Sequence, residues 1–547
     1  MSIATVVCRA QLGLHAPLVQ VEVSLDSGLP NFSIVGLAAT VVKESKDRVR
    51  AAIVNSNFEF PAGRITINLS PADIPKRGGR FDLPIALGIL LASGQVKTDQ
   101  ESRIDPGHRE FFGELGLNGE LRSVPGMLQA AAHAARMGHE VIVPDANADE
   151  VRLLLSTTHG EPDTYGADGH SADGNQQGAA RGSRRRRSGP TLRAAGHLLA
   201  VCAHLDGSDP IPPLTPRVLA NDGLGGEPEL DLRDVRGQVQ AKRALTIAAA
   251  GGHSILMRGP PGTGKSMLAM RLPGLLPPMT EAESLEVAAI ASASGIGFNV
   301  SSFGRRPMRT PHHTASAVSL VGGGSVPRPG EISLAHHGVL FLDELLEYDR
   351  RALEALREPL EAGVVLISRA SHHMQYPAQF QLVAAMNPCP CGRFGDPQGN
   401  CDCSPGQIAQ YMGRVSGPML ERFDIHLEVP RVNLSDFEDA ALPSESSASV
   451  AARVRQAREI QIARQGKCNA RLSDGQITRL CAPDTGGRSI LNMSMEKLGF
   501  SARTRQRILK LARTIADLAG DETVRAQHVT EAVTYRYFDR RPPKPKE

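Results

Sequence analysis

Apolar positions in the first 155 residues come in short runs, Val19 to Val23, Ile65 to Leu69 and Val141 to Val143, separated by stretches with helical character such as Pro84 to Leu91. Runs of that length alternating with helical segments predict a mixed α/β domain over residues 1–155. Between 156 and 190 the apolar period stops and Gly, Asp, Ser, Gln and Arg take over, including Arg184 to Arg187. Such a segment has too little apolar surface to offset its ordering entropy, so a disordered basic loop is expected. A helix-like piece from Leu192 to His204 and a Pro- and Gly-rich linker from Asp209 to Pro228 complete the region 191–228. The linker is a domain boundary. A second module, 229–440, carries further strand-like runs, and from 441 to 547 the pattern is helical with Arg-rich faces, ending in a tail expected to fray.

A chain of 547 residues exceeds what one hydrophobic core supports, in keeping with several modules. Its 41% hydrophobic and 22% charged residues are ordinary for a globular protein, and no apolar run approaches the roughly 20 residues that span a bilayer. The N-terminus has no cationic stretch leading into an apolar block, so a cytoplasmic location without membrane contact is expected. Net charge is +3, which neither demands nor excludes nucleic acid.

The apolar run Ser254 to Met257 is followed by Gly259, Pro260, Pro261, Gly262, Thr263, Gly264, Lys265 and Ser266, then by the helix-like MLAMRL. This is the strand, loop and helix order of a P-loop. Its backbone N–H groups cradle the phosphates of ATP, Lys265 brings a charge to the outer phosphates, and the Ser266 hydroxyl can ligate Mg²⁺. Gly338 to Leu342 is a buried-strand pattern ending in Asp343 and Glu344. Asp343 is placed to hold the Mg²⁺ shell and Glu344 to polarise the attacking water. A third run, Phe380 to Ala385, leads to Asn387, either a water-orienting amide beside the phosphate or a turn-forming Asn-Pro pair. Together these predict an α/β fold: an AAA+ P-loop ATPase core with a helical lid.

Thr310 to Leu345, together with YPAQFQLVAAMNPCPCG and SGPMLERFD, resembles the ComM or YifB-like family of magnesium-chelatase-related AAA+ ATPases. The resemblance implies a homo-hexameric ring, and for relatives of ComM an ATP-driven branch-migration activity on single-stranded or branched DNA during recombination in natural transformation. It implies that Arg422 is the arginine finger reaching a neighbour's ATP, with Arg414 as competitor, and that Arg503 is the second sensor arginine of the lid. Phe303 to Ile332, with Arg305, Arg306, Arg309, His312 and His313, looks like a loop projected into a ring pore, and Pro359 to Gln375 looks like a hairpin; either is also readable as a solvated loop. A metal-insertion motor and a regulatory protein-binding ATPase are the competing functions.

Before the linker, IPKRGGRFDLPIALGILLASG and the stretch from Phe111 to Glu150 resemble the proteolytic domain of Lon proteases, which implies a ribosomal-S5-like α/β fold. Lon-type cleavage pairs a serine with a lysine. No serine lies between Ser70 and Ser93, where Asp82 falls close to the expected nucleophile, and no lysine lies between Lys97 and Lys242. A non-proteolytic scaffold or protein-binding module is therefore expected.

Four of the eight cysteines stand as two Cys-x-Cys pairs, Cys389 with Cys391 and Cys401 with Cys403. Four thiolates fit a closed tetrahedral site for structural Zn²⁺. The pairs His312-His313, His336-His337 and His372-His373 are poor ligand sets if extended, because neighbouring side chains on a strand face opposite ways.

Overall fold

A computed structural model describes residues 2–36, 40–97, 108–156, 191–216, 230–295, 297–324, 327–369, 372–396, 399–432 and 445–536. The expected basic loop lies almost wholly outside these residues, as do most of the linker and the C-terminal tail. The chain divides into two compact units, one of residues 1–222 with 281–303, the other of residues 223–280 with 304–547.

The first unit is built on a seven-stranded sheet in the order Asn31–Val35, Arg64–Ser70, Leu18–Asp26, Ser2–Arg9, Arg109–Phe111, Glu140–Pro144, Leu192–Ala195. Ser2–Arg9 and Leu18–Asp26 pair antiparallel with Val6 opposite Val21, and Leu18–Asp26 pairs antiparallel with Arg64–Ser70; the remaining ladders are parallel. Helix Asp82–Ala92 lies almost completely buried. Gly88 permits that depth, because a Cβ there would fall 2.5 Å from Val23 Cγ2. Leu192–Ala195, expected to be helical, is instead the edge strand, and the helix begins only at Leu198. Several buried charges inside this unit are paired: Arg9 and His139 both reach Glu110, at 2.7 and 2.8 Å, and Arg109 lies 2.9 Å from Glu140.

Asp82, which falls close to the expected nucleophile, is fully buried and holds the Arg48 guanidinium at 2.8 Å. Burial pushes its carboxyl up and the Arg48 hydrogen bond opposes this. Both of its carboxyl oxygens are engaged by Arg48, Oδ2 at 2.8 Å and Oδ1 at 3.2 Å, which fixes it in place.

Helix Glu281–Ser294 has no counterpart in the expected domain plan. It follows the P-loop helix in sequence, yet it packs in the first unit, where Ala288 and Ala289 meet Leu128 and Leu153. Gln129 donates to Ala289 O, and Gly126 N donates to Ser292 O at 3.1 Å.

The second unit holds an all-parallel five-stranded sheet in the order Met308–Arg309, Val339–Leu342, Gln381–Met386, Ile255–Arg258, Ile425–Glu428. Val339–Leu342 and Gln381–Met386 are buried throughout, as continuous apolar runs of a parallel sheet should be. The helices Ser447–Gln465, Asp474–Leu480, Thr485–Leu498, Ala502–Ala519 and Ala526–Thr534 form the lid. Val454, Leu491, Ile508 and Ile515 share one apolar cluster with Ile255 and Val383 of the sheet. No helix among the described residues is long and apolar enough to cross a membrane.

Candidate active site

Because every strand of the second sheet runs the same way, the loops at the strand C-termini share one edge, where ligands bind in open α/β sheets. Three such loops carry the motif residues. The P-loop leaves Ile255–Arg258 at Gly259, whose backbone touches the chain on the far side so closely that a Cβ would meet Val429 O at 2.2 Å. Gly262 and Gly264 take left-handed φ of 78° and 87°, which bends the loop back to start helix Lys265–Arg271. Lys265 Nζ donates to Gly259 O at 2.8 Å, Pro260 O at 2.9 Å and Asn387 Oδ1 at 3.3 Å. Burial lowers the pKa of Lys265, and the carboxylates of Asp343 and Glu344 work against that shift.

Strand Gln381–Met386 lies between the P-loop strand and Val339–Leu342, so Asn387 emerges between Lys265 and the paired acids. Ser266 Oγ donates to Asp343 Oδ2 at 2.6 Å, joining the two groups expected to share a Mg²⁺ shell. Glu344 has φ 51°, an uncommon backbone for a residue with a side chain, and its N–H bonds Asp343 Oδ1 at 2.9 Å. Its carboxylate lies 3.2 Å from His313 Nδ1. Sequence reasoning left His313 unassigned; the signal was its place four residues after Met308–Arg309, the edge strand next to Val339–Leu342.

Arg422 lies at the other edge. It stands three residues before Ile425, and its backbone O accepts from Ser254 Oγ at 2.8 Å, at the start of the P-loop strand. Gly259 follows the end of that strand, five residues beyond Ser254 and roughly 16 Å away at 3.3 Å per residue, too far for Arg422 to serve phosphates held by its own chain. Its guanidinium pairs with Glu361, and its Nε has no hydrogen-bond partner among the described residues. Arg503 reaches Glu421 at 3.4 Å, and both arginines line one basic cleft with Arg507 and Lys510. Arg414 bonds Leu346 O and Glu347 at 3.1 and 3.0 Å, a few residues past Glu344, and so belongs to the opposite edge.

Asp424 is buried behind Arg422. It pairs with Arg507 and lies 3.1 Å from His253 Nδ1, whose Nε2 contacts Thr514 Oγ1 at 2.7 Å. Burial would raise its pKa, but Arg507 and His253 outweigh that and hold the carboxyl well below the usual range. This network ties the Arg422 loop to lid helix Ala502–Ala519.

The two insertions pack together: Tyr376 OH donates to Pro327 O at 3.1 Å, and Gly322 abuts Ile367. The hairpin is Val364–Arg369 paired with His372–Pro377, preceded by helix Arg357–Ala362. Two of the arginines expected to face a pore are engaged internally. Arg309 makes a bidentate pair with Glu331 at 2.6 and 2.8 Å, and Arg306 donates to Pro277 O and His337 O, both at 2.6 Å. Arg305 and Arg328 are exposed. The side chains of Arg369, His372 and His373 lie outside the described residues.

The four cysteine sulfurs, all free of disulfides, lie within 4.8 Å of one another. Cys389 to Cys391, Cys389 to Cys401 and Cys391 to Cys401 span 3.3, 3.7 and 3.6 Å. A zinc ion with Zn–S bonds of about 2.3 Å needs sulfur separations of about 3.8 Å.

A parallel sheet carrying a P-loop, a paired-acid strand end and a polar sensor on one edge, with a helical lid, defines an AAA+ P-loop ATPase. Family profiles narrow this. Subunit ChlI of magnesium chelatase matches residues 231–437, a further profile for subunit ChlI of Mg-chelatase matches 21–147, and the ChlI C-terminal profile matches 444–536. The chain is 45% identical over 541 residues to the protein YifB of Escherichia coli, covering 99% of this chain and 98% of that one. It is 45% identical over 537 residues to the competence protein ComM of Haemophilus influenzae, covering 98% of each. The magnesium-chelatase 67 kDa subunit of Heliobacterium mobile is 28% identical over 188 residues, 29% of this chain and 28% of that one. The chain belongs to the ComM/YifB-like family of magnesium-chelatase-related proteins.

Proposed function

We propose that this protein is an ATP- and Mg²⁺-dependent ring motor, a homo-hexamer that moves on DNA and drives branch migration, with a structural zinc ion in the cysteine knuckle. The observation that carries the reading is the separation of Arg422 from Lys265, Asp343 and Glu344 by the length of a strand within one chain. A finger at one edge and phosphate-binding groups at the other are complementary halves, and stacking subunits head to tail joins them. Closed rotation of such heterologous contacts generates a ring. In that arrangement Arg422 brings its guanidinium to the γ-phosphate of the neighbour, with Arg503 alongside. The exposed Arg305 and Arg328, on the segment that carries the insertions, supply charge for sequence-independent grip on phosphates. The first unit, with Asp82 held by Arg48, serves as a non-proteolytic scaffold or a site for a protein partner.

A metal-insertion motor is the weaker alternative, because the similarity to the chelatase 67 kDa subunit covers 29% of the chain whereas that to ComM covers 98%. The test is ATP turnover of the purified protein with no DNA, single-stranded DNA and a three-stranded branched substrate, alongside strand exchange on the last. DNA-stimulated turnover with branch movement is expected. Turnover indifferent to every DNA would defeat the DNA reading and leave the ATPase standing.

A further inference from the structure

The cysteine knuckle begins two residues after Asn387 and touches the nucleotide loop. Gly392, at φ +76°, is packed so closely on Pro261 of the P-loop that a Cβ would sit 2.6 Å from Pro261 Cδ and 3.1 Å from Cγ. A proline ring is fixed to its own backbone, so this contact acts directly on the loop path. The knuckle is anchored on two further sides. Buried Asp396 pairs with Arg431 at 2.8 Å, just beyond Val429, whose N–H bonds Arg258 O at 2.8 Å beside the P-loop strand. Directly after Cys403, Ser404 opens helix Pro405–Met412 with a reciprocal capping box to Gln407.

The donor set suits a metal. The four sulfurs lie within 4.8 Å of one another, and Phe394 N–H points at Cys389 Sγ at 3.4 Å, as a backbone donor to a thiolate ligand does. Binding Zn²⁺ displaces the thiol protons to solvent and closes the loop from Cys389 to Cys403 on one centre.

We infer that the zinc-loaded knuckle is a brace for the P-loop: the metal fixes Gly392, Gly392 fixes Pro261, and nucleotide affinity therefore depends on metal loading. This rests on reading Gly259 to Ser266 as the ATP site and the four cysteines as the zinc site. A loop already held in its binding shape loses less freedom when ATP arrives.

The experiment uses the full chain made with zinc supplied, reading metal content by atomic emission and affinity with a fluorescent ATP analogue. Wild type should carry about one zinc per chain. The double variant Cys401→Ser/Cys403→Ser should lose the metal and bind the analogue about tenfold more weakly. Gly392→Ala, which keeps all four cysteines, should retain zinc yet also bind more weakly; it carries the test should the double variant fail to fold. Wild type without zinc overturns the metal site. Zinc-free or Gly392→Ala protein with wild-type affinity overturns the brace while leaving the site. Zinc-loaded wild type that binds no nucleotide overturns the ATP-site reading itself.

Discussion

At the C-terminal edge of the ATPase sheet, Ser266 and Glu344 are exposed, Asp343 is half-buried, and the three bond chiefly to each other, whereas at the N-terminal edge Asp424, His253 and Thr514 are sealed in the protein. The open groups are those a phosphate and a cation would engage, so their present bonds are replaceable at little cost. Sealed groups have no such freedom: each donor needs its acceptor, and removing one strands the others. Arg422 stands where the two regimes meet, its backbone fixed to Ser254 and its Nε without a partner among the described residues. The proposed motor chemistry is thus split between a yielding edge and a rigid one, and substitutions at each should fail differently.

The largest effect is expected at Arg422, where the rigid edge meets the cleft it shares with Arg503. Arg422→Ala should fold and bind ATP nearly as wild type but lose turnover by about 10³-fold or more, the usual contribution of an arginine finger. Mixing it with Lys265→Ala subunits should restore part of the rate, because some interfaces then pair an intact loop with an intact finger. Mixed rings that stay inactive would place Arg422 among the merely structural arginines. Next is Glu344→Gln, expected to lower turnover by roughly 10²- to 10⁴-fold while ATP stays bound. Lys265→Ala, by contrast, should bind ATP poorly, and equal loss of binding in both variants would contradict the division of labour at the yielding edge.

The yielding edge was legible in the sequence because phosphate chemistry demands residues at fixed short spacing; Gly259 to Ser266, and Asp343 with Glu344, each occupy one contiguous stretch. The rigid edge was not. His253, Asp424, Thr514, Asn469 and Asp517 are spread over more than 250 residues and each is unremarkable alone; only folding brings Asn469 Nδ2 within 3.0 Å of Thr514 Oγ1 and 2.8 Å of Asp517 Oδ2. Arg422 and Arg503 were reached through family resemblance, not spacing. The strand Leu192–Ala195 was missed because four residues ending in two alanines carry no period-two signal next to the helical run that follows. Docking of Glu281–Ser294 on Leu128 and Gln129 depends on contacts across about 160 residues, which local pattern cannot encode.

Asp424→Asn probes the sealed network. It leaves Arg507 and His253 without their carboxylate and should cost about 3–5 kcal/mol of stability, read from denaturant unfolding. Since the folded pKa lies below the unfolded value, the stabilisation is fully present above that unfolded value, roughly 3.9, and is lost as pH falls below it. The gap between wild type and variant should be flat above about pH 5 and close in acid. A gap that instead widened in acid would contradict the sign.

The smallest effect concerns His313 and Glu344, both partly exposed and 3.2 Å apart. An exposed pair of this kind is worth at most about 1 kcal/mol, a few-fold in rate. While Glu344 Oε2 is engaged by the imidazole, that oxygen is not available to accept a proton from the attacking water. His313 lies between the edge strand Met308–Arg309 and helix Ala317–Val321, which leads into the Gly322–Gly323 pairing with Arg328–Pro329. A ligand that draws on this segment would therefore free the base. His313→Ala should raise turnover without DNA by up to about fivefold and shrink the further rise expected if DNA stimulates the wild type as proposed, with ATP affinity unchanged. A lower rate in the variant would mean that His313 aims Glu344 at the water, and the pair would then belong to the working geometry.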